Sequence, residues 1–261
     1  MICPIDHISY SAFTQYLKDR YLFKRKYIDR IYDEKDKPAQ IVGKAFHKCL
    51  EVYYQGVDLE DAREAGAELV HAALPNIDFG NTGSLEEILK DYSQTTDHYF
   101  SESPYPREIV MASEEVMCEK VKGFKVQIKA VSDLILKYPG GGHDIVDFKK
   151  VNSLSKEDEI KGIYYIQAAF NYWAVCSRFK LKPSCMFYRE VKTSKNRDGG
   201  PQTATVTINF NDPKVQEILV KIRRMVNGVI HEMSRKYILM LPNPQDNMSG
   251  QDSWLNFLQE A

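Results

Sequence analysis

The chain of 261 residues has no long apolar run, no paired cysteines and almost no net charge. No stretch reaches the roughly 18 consecutive apolar residues of a membrane-spanning helix, so a helical membrane protein is excluded. The five cysteines (Cys3, Cys49, Cys118, Cys176 and Cys185) are odd in number and none forms a CxxC pair. Neither a disulfide framework nor a zinc knuckle is expected, and a reducing compartment is the simplest reading. The opening MICPIDHISYS has no basic region followed by an apolar one, so a secretory signal is not expected and a soluble, cytoplasmic protein is. With a formal net charge of −1, any nucleic-acid partner must be held by a local basic surface. Repeats, low-complexity segments and linkers are also missing, which leaves a single domain over 1–261.

What is present is an ordinary globular balance, 43% hydrophobic and 27% charged, in a chain long enough for one large core. Helical spacing predicts helices over 9–30, 39–55, 59–74 and 84–100, the first capped by Ser9 or Ser11 and the last opened by a Ser84/Glu87 capping box. SPYP at 103–106 closes this helical part. Strands follow at 109–121, 124–137 and 144–150, then a helix over 156–179, strands at 184–192 and 203–210, and a helix over 213–237. The element order suggests an α/β or α+β domain, with α/β preferred: a mixed central sheet flanked by helices, with an N-terminal helical part over 1–106, a core over 107–240 and a tail over 241–261.

The chemistry concentrates in DIVDFKK, residues 144–150. Ile145, Val146 and Phe148 are strong strand formers, yet Asp147 and Lys149 interrupt them and share one face. Asp133, in KAVSDLIL, is another carboxylate among apolar neighbours. Strict alternation puts Ile128, Ala130, Ser132 and Leu134 on one face, and Val131, Asp133 and Ile135 on the other. The glycine turn YPGGGHD makes the two strands antiparallel neighbours, which brings Asp133 and Asp147 together. Two half-buried carboxylates repel and are costly to ionise; a divalent cation removes that cost, and removing either carboxylate is expected to leave the metal-free protein as stable or more so. Asp133, Asp147 and the backbone carbonyl of Phe148 are suitable ligands for Mg²⁺. Lys149 would then stand beside the metal, to orient or deprotonate a water or to stabilise charge on a phosphate. The bland alternative for an Asp-x-Lys pair is a charge device on an edge strand.

His47, in the helical GKAFHKCLE, is a further candidate ligand, and its imidazole suits Mn²⁺ better than Mg²⁺. Tyr164 and Gln167 share a helix face, where Gln167 would brace Lys149 or touch DNA. In the first helix, aromatic residues interleave with cations that include Lys24 and Arg25, the pattern of a surface that stacks bases and tracks phosphates. Lys195 and Arg197, in the loop KTSKNRDGGP, would make a second contact.

Taken together, these segments resemble the PD-(D/E)XK nuclease superfamily, and within it the RecB- and AddB-type exonuclease branch, which also looks like the CRISPR adaptation nucleases and the mitochondrial genome maintenance exonuclease. ISYSAFTQYL is similar to the opening helix, GKAFHKCLE to the helix bearing a metal-binding histidine, AVSDLI to the strand of the first aspartate, IVDFKK to the D-x-K strand and YYIQAAFNYWA to the helix after it. The resemblance implies a restriction-endonuclease-like fold, with His47, Asp133 and Asp147 on Mg²⁺ or Mn²⁺, Lys149 catalytic, and Gln167 and Tyr164 supporting. Glu114 or Glu115 would be an upstream acidic residue, Glu115 being preferred. It implies hydrolysis of single-stranded DNA or DNA ends in recombination, repair or replication, beside a helicase or annealing protein, and the small size suits a viral or mobile-element system. The chain departs from the pattern at Ala130, where the family often has glycine. It also lacks cysteines where several relatives hold a [4Fe–4S] cluster, so no iron–sulfur cluster is expected. The competing readings are a DNA-binding or recombination accessory module with an unused site, and an α/β interaction domain whose Asp–Lys pairs are structural.

Overall fold

The computed structural model describes residues 3–80, 83–102, 104–156, 160–196, 199–235 and 240. A short strand β1 (His7–Ser9) leads into α1 (Tyr10–Lys18), α2 (Arg20–Phe23) and a π-helical turn (Lys24–Ile28), followed by α3 (Pro38–Tyr54), α4 (Leu59–Ala73) and α5 (Leu85–Ser101). The second half holds β2 (Val110–Glu119), β3 (Gln127–Lys137), β4 (His143–Val151), α6 (Gly162–Phe179), β5 (Cys185–Lys192), β6 (Thr203–Asn209) and α7 (Pro213–Met233).

Caps set several boundaries. Ser9 accepts the Ala12 N–H at 3.1 Å, and Ser84 and Glu87 form the reciprocal capping box. The expected single helix over 9–30 is instead broken at Asp19, whose extended backbone ends α1 and whose carboxylate accepts the Leu22 N–H at 2.8 Å to start α2. An Asp cap competes with the helix interior, and here the cap wins. The helix expected from 156 begins only at Gly162; residues 157–159 of that expectation, and the tail over 241–261, lie outside the described residues.

The sheet has six strands in the order β1-β3-β4-β5-β6, with β2 paired to the other edge of β3. It is mixed: β1–β3 and β4–β5 are parallel, while β2–β3, β3–β4 and β5–β6 are antiparallel. This is the expected α/β architecture. On one face Ile128, Ile135, Ile145, Met186 and Val206 pack against α1, α6 and α7. On the other, Leu134, Leu136, Val146 and Phe148 pack under Phe46 and Leu50 of α3 and Tyr99 of α5. α4 forms a further layer with α3 and α5; a Cβ at Gly66 would overlap Tyr92 and the Ala45 carbonyl, so only glycine permits that approach.

Two features bear directly on the site. β4 is central and its first six residues are buried, as expected of a strand covered on both faces; Asp147 and Lys149 are therefore not an edge-strand device. The alternation on β3 also slips at Asp133. Ile128 and Ala130 face the α6 side and Ser132 donates to Asn171 of α6, but Leu134 faces α3 and Ile135 returns to the α6 side.

Candidate active site

The slip marks the point where two strands part. The β3–β4 ladder runs from Lys137↔His143 to Leu134↔Val146 and stops. The N–H of Phe148 then donates to a carboxylate oxygen of Asp133 at 2.6 Å. The Asp133 side chain thus takes the place of a backbone carbonyl, satisfying a buried donor that the parted strands would orphan. N–H and C=O of one strand residue point to the same side, so the Phe148 carbonyl faces this gap as well.

α3 brings the next group. Phe46 is buried against Tyr99 and Phe148, which fixes the helix rotation and leaves its neighbour His47 at the rim. His47 Nδ1 lies 3.4 Å from Asp133 Oδ2 and 3.6 Å from Glu114 Oε1. Glu114 reaches this point because its backbone is left-handed, with φ of 47°, an uncommon conformation for a residue other than glycine and one that concentrates at functional sites. The neighbouring Glu115 turns elsewhere and meets Arg178 at 3.6 Å. The upstream acidic group beside His47 is therefore Glu114, not Glu115; strand alternation alone cannot choose between them when the backbone of one is inverted.

Asp147 is buried on β4. Gln167 of α6 donates its side-chain amide to Oδ1, so Gln167 braces the aspartate rather than Lys149. Lys149 Nζ lies 2.6 Å from Oδ2, a charge-assisted contact to the buried carboxylate.

The two aspartates are not equivalent. For Asp133, burial pushes the carboxyl up, but the facing His47, Lys149 and the Phe148 N–H outweigh it and hold it below the ordinary range. For Asp147, burial dominates, the attraction of Lys149 opposes it and repulsion from Asp133 adds to it; the result is a carboxyl pushed up to about 6. Burial favours a neutral His47, yet Asp133 and Glu114 raise its pKa well above the usual value. Without metal, protons on His47 and Lys149 balance the carboxylates.

His47, Glu114 and Asp133 present ligand atoms all within 4.8 Å of one another. Two carboxylates and an imidazole form a donor set that fits Mg²⁺ or Mn²⁺, the imidazole favouring Mn²⁺; Asp147 stands in the same electrostatic cluster but outside this group of three. Tyr164 stands one layer back: its hydroxyl donates to Glu190 at 2.5 Å and its ring stacks on Tyr188 at 4.1 Å. Glu190 is fully buried and also binds the Ser155 N–H at 2.6 Å and Lys161 at 3.1 Å, tying the segment after β4 to the start of α6 and so positioning Gln167. Glu190 was not expected as a site residue, though Met186, Tyr188 and Glu190 alternate on one buried face and carry the same signal as Asp147.

The expected DNA contacts fare differently. Lys24 pairs with Asp29 and Arg25 with Asp33, each at 2.6 Å, which drains their charge. Lys195 lines a surface cleft with Ser84, Glu87 and Asp91 at the start of α5, and Arg197 lies outside the described residues. No helix among the described residues is long and apolar enough to cross a membrane.

Comparison with known proteins agrees with this geometry. No curated protein matches the chain. Among solved structures, a candidate exonuclease from Eubacterium rectale is similar with a TM-score of 0.54 and 16% identity, over 94% of this chain and 93% of that one; at this identity the likeness concerns the fold. An alkaline exonuclease from Laribacter hongkongensis is similar over 76% of this chain and 89% of that one, at 10% identity and a TM-score of 0.35, too low to carry weight. Residues 7–245 match the PD-(D/E)XK nuclease superfamily, and the chain belongs to that superfamily.

Proposed function

We propose that the chain is a divalent-metal-dependent deoxyribonuclease of the RecB/AddB type that degrades DNA from its ends, with 1–106 as a helical part, 107–240 as the nuclease core and 241–261 as a tail. One observation carries the reading. On a fully covered central strand, Asp147 is buried in one electrostatic cluster with Asp133 and His47, and His47, Glu114 and Asp133 present ligand atoms all within 4.8 Å of one another. A structural Asp–Lys pair needs no second buried aspartate, glutamate and histidine beside it; a divalent cation would neutralise that concentration of acid.

Asp133, Asp147, Glu114, His47 and the Phe148 carbonyl would hold Mg²⁺ or Mn²⁺, which supplies a water of lowered pKa and polarisation of the phosphate. The residues of the chain do the rest. Gln167 fixes the rotamer of Asp147. Asp133 holds the strands apart through the Phe148 N–H. Lys149 swings from Asp147 toward the scissile phosphate, where its ammonium stabilises the charge that grows as the water oxygen bonds to phosphorus and the leaving oxygen departs. The substrate is DNA, as single strands or ends, and a helicase or annealing protein would supply such ends.

The test is incubation of end-labelled linear DNA and a closed circle with the pure protein in Mg²⁺, Mn²⁺ or EDTA. Loss of the linear substrate alone, only with metal, is the expected result. Cutting of the circle would make it an endonuclease, and salt-sensitive binding with no cleavage would make it an accessory module.

A further inference from the structure

We infer that the cleft between β1, the turn after the π-helix and β3 seats one DNA strand beside the scissile phosphate, Tyr32 stacking on a base while Arg30 and Lys129 hold its phosphates. The inference rests on the nuclease reading and adds to it the substrate form, a single strand at the site.

The cleft encloses about 550 Å³ and is lined by His7, Tyr10, Tyr27, Arg30, Tyr32 and Lys129, among others. That volume is of the size that holds one small ligand, which suits a nucleotide or two and not a duplex. The cleft opens directly on the site: Gln167, which braces Asp147, is part of its wall, and Tyr10 lies within the electrostatic reach of Lys149 and Asp147.

Its chemistry suits a polyanion with flat bases. Among the described residues Arg30 and Lys129 make no ion pair, and Asp6 is the sole carboxylate in the wall. His7 senses both cations, which together with burial lower its pKa. Tyr32 is 71% exposed, a large aromatic face in water beside free cations. Stacking on aromatic faces together with cations along the backbone is how single strands are bound without regard to sequence.

The backbone builds this arrangement at some expense. The chain leaves the α-helix for a π-helical turn over Lys24–Ile28, then turns sharply at Arg30, whose φ is 59°. π-turns and left-handed non-glycine residues are rare and concentrate at functional sites. Here they divert the segment so that Arg30 and Tyr32 face β3. Lys24 and Arg25, one turn earlier, stay paired with Asp29 and Asp33, so the available charge is Arg30's.

The test compares labelled single-stranded and blunt duplex oligonucleotides of one length, by fluorescence anisotropy in EDTA and by cleavage in Mn²⁺. The variants are Tyr32→Ala, Tyr32→Phe and the double variant Arg30→Asn/Lys129→Gln; asparagine tolerates the left-handed backbone. Tyr32→Ala should weaken single-strand binding about 5- to 30-fold, within the range measured for stacked bases, and Tyr32→Phe should restore it. The double variant should flatten the plot of log affinity against log salt by about 1.4, or 0.7 for each lost phosphate contact. Single-strand binding unchanged in all three variants, or no single-strand binding by the wild type, overturns the inference. The nuclease reading fails separately: a wild type that cleaves nothing in metal while Tyr32→Ala and the double variant lose binding removes the enzyme and leaves the cleft. Cleavage by the wild type that all three variants match removes the cleft and leaves the enzyme.

Discussion

Replacing Asp147 by asparagine should make the metal-free protein more stable. The Asp147 carboxyl is raised from 3.8 to about 6, burial being the main cause. A carboxyl raised on folding means that the native state resists its ionised form. Each unit is about 1.4 kcal/mol, so a shift of roughly 2 units puts the cost of the ionised group near 3 kcal/mol at pH 8. The attraction of Lys149 is already contained in that shift, so losing it adds no further penalty, and asparagine still accepts the Gln167 amide. For a chain of this size the gain corresponds to a rise in Tm of about 5–10 °C. The pH dependence has a definite sign. Between about pH 4 and 6 the folded wild type binds a proton that the unfolded chain has released, so wild-type stability relative to the variant grows as pH falls. The variant's advantage is therefore full above pH 6 and shrinks below about 1 kcal/mol at pH 4. Mn²⁺ at 1,000 times the wild-type Kd should reverse the order, because the wild type then gains about 4.1 kcal/mol and the variant, with one carboxylate fewer, gains less. The assay is thermal melting of both proteins in EDTA across pH 4–8, and again with Mn²⁺. A variant less stable than wild type in EDTA at pH 8, or an advantage that ignores pH, would refute the reasoning.

Other perturbations should separate the remaining groups. Asp133→Asn should lower metal-free stability by about 1–3 kcal/mol in urea titrations, because it takes from a protonated His47 the carboxylate that acts on it most strongly; a gain in stability would show that the pairing is not favourable. Because His47 is held protonated without metal, metal must displace that proton, and Mn²⁺ affinity measured by calorimetry should rise with pH through the neutral range, whereas a flat profile between pH 6 and 8 would place the metal away from His47. Tyr164→Phe should cost about 1–2 kcal/mol by loss of the bond to Glu190 while leaving metal-dependent cleavage nearly intact; a collapse in rate at unchanged stability would place the hydroxyl in the chemistry.

The contrast between the aspartates shows where sequence reading runs out. That Asp133 and Asp147 lie together follows from alternation, a short glycine turn and two carboxylates in apolar strands. Which one repels does not follow, because it depends on His47 arriving from a helix about 85 residues earlier in the chain, and on the Phe148 N–H left without a strand partner. The same holds for Glu114: the inverted backbone that separates it from Glu115 has no residue signature, since neither residue is glycine. β1 is three residues of mixed polarity, too short for any period to register, and it is defined by pairing with β3. Asp19 ends the first helix against its apolar spacing, because its carboxylate caps the next one. Glu190, by contrast, is legible as a single acid on a strand whose alternate residues Met186 and Tyr188 are apolar and buried.

The central claim is that Lys149 and the metal-binding cluster hydrolyse DNA. The most direct measurement is the single-turnover cleavage rate of end-labelled linear DNA by wild type and Lys149→Ala, each shown folded by its melting curve, in Mg²⁺ and in EDTA. The account predicts cleavage by the wild type only with metal, and a rate for Lys149→Ala at least 100-fold lower, as for loss of one group that stabilises charge at the reacting phosphate. Equal rates for the two proteins, or cleavage that persists in EDTA, would contradict it.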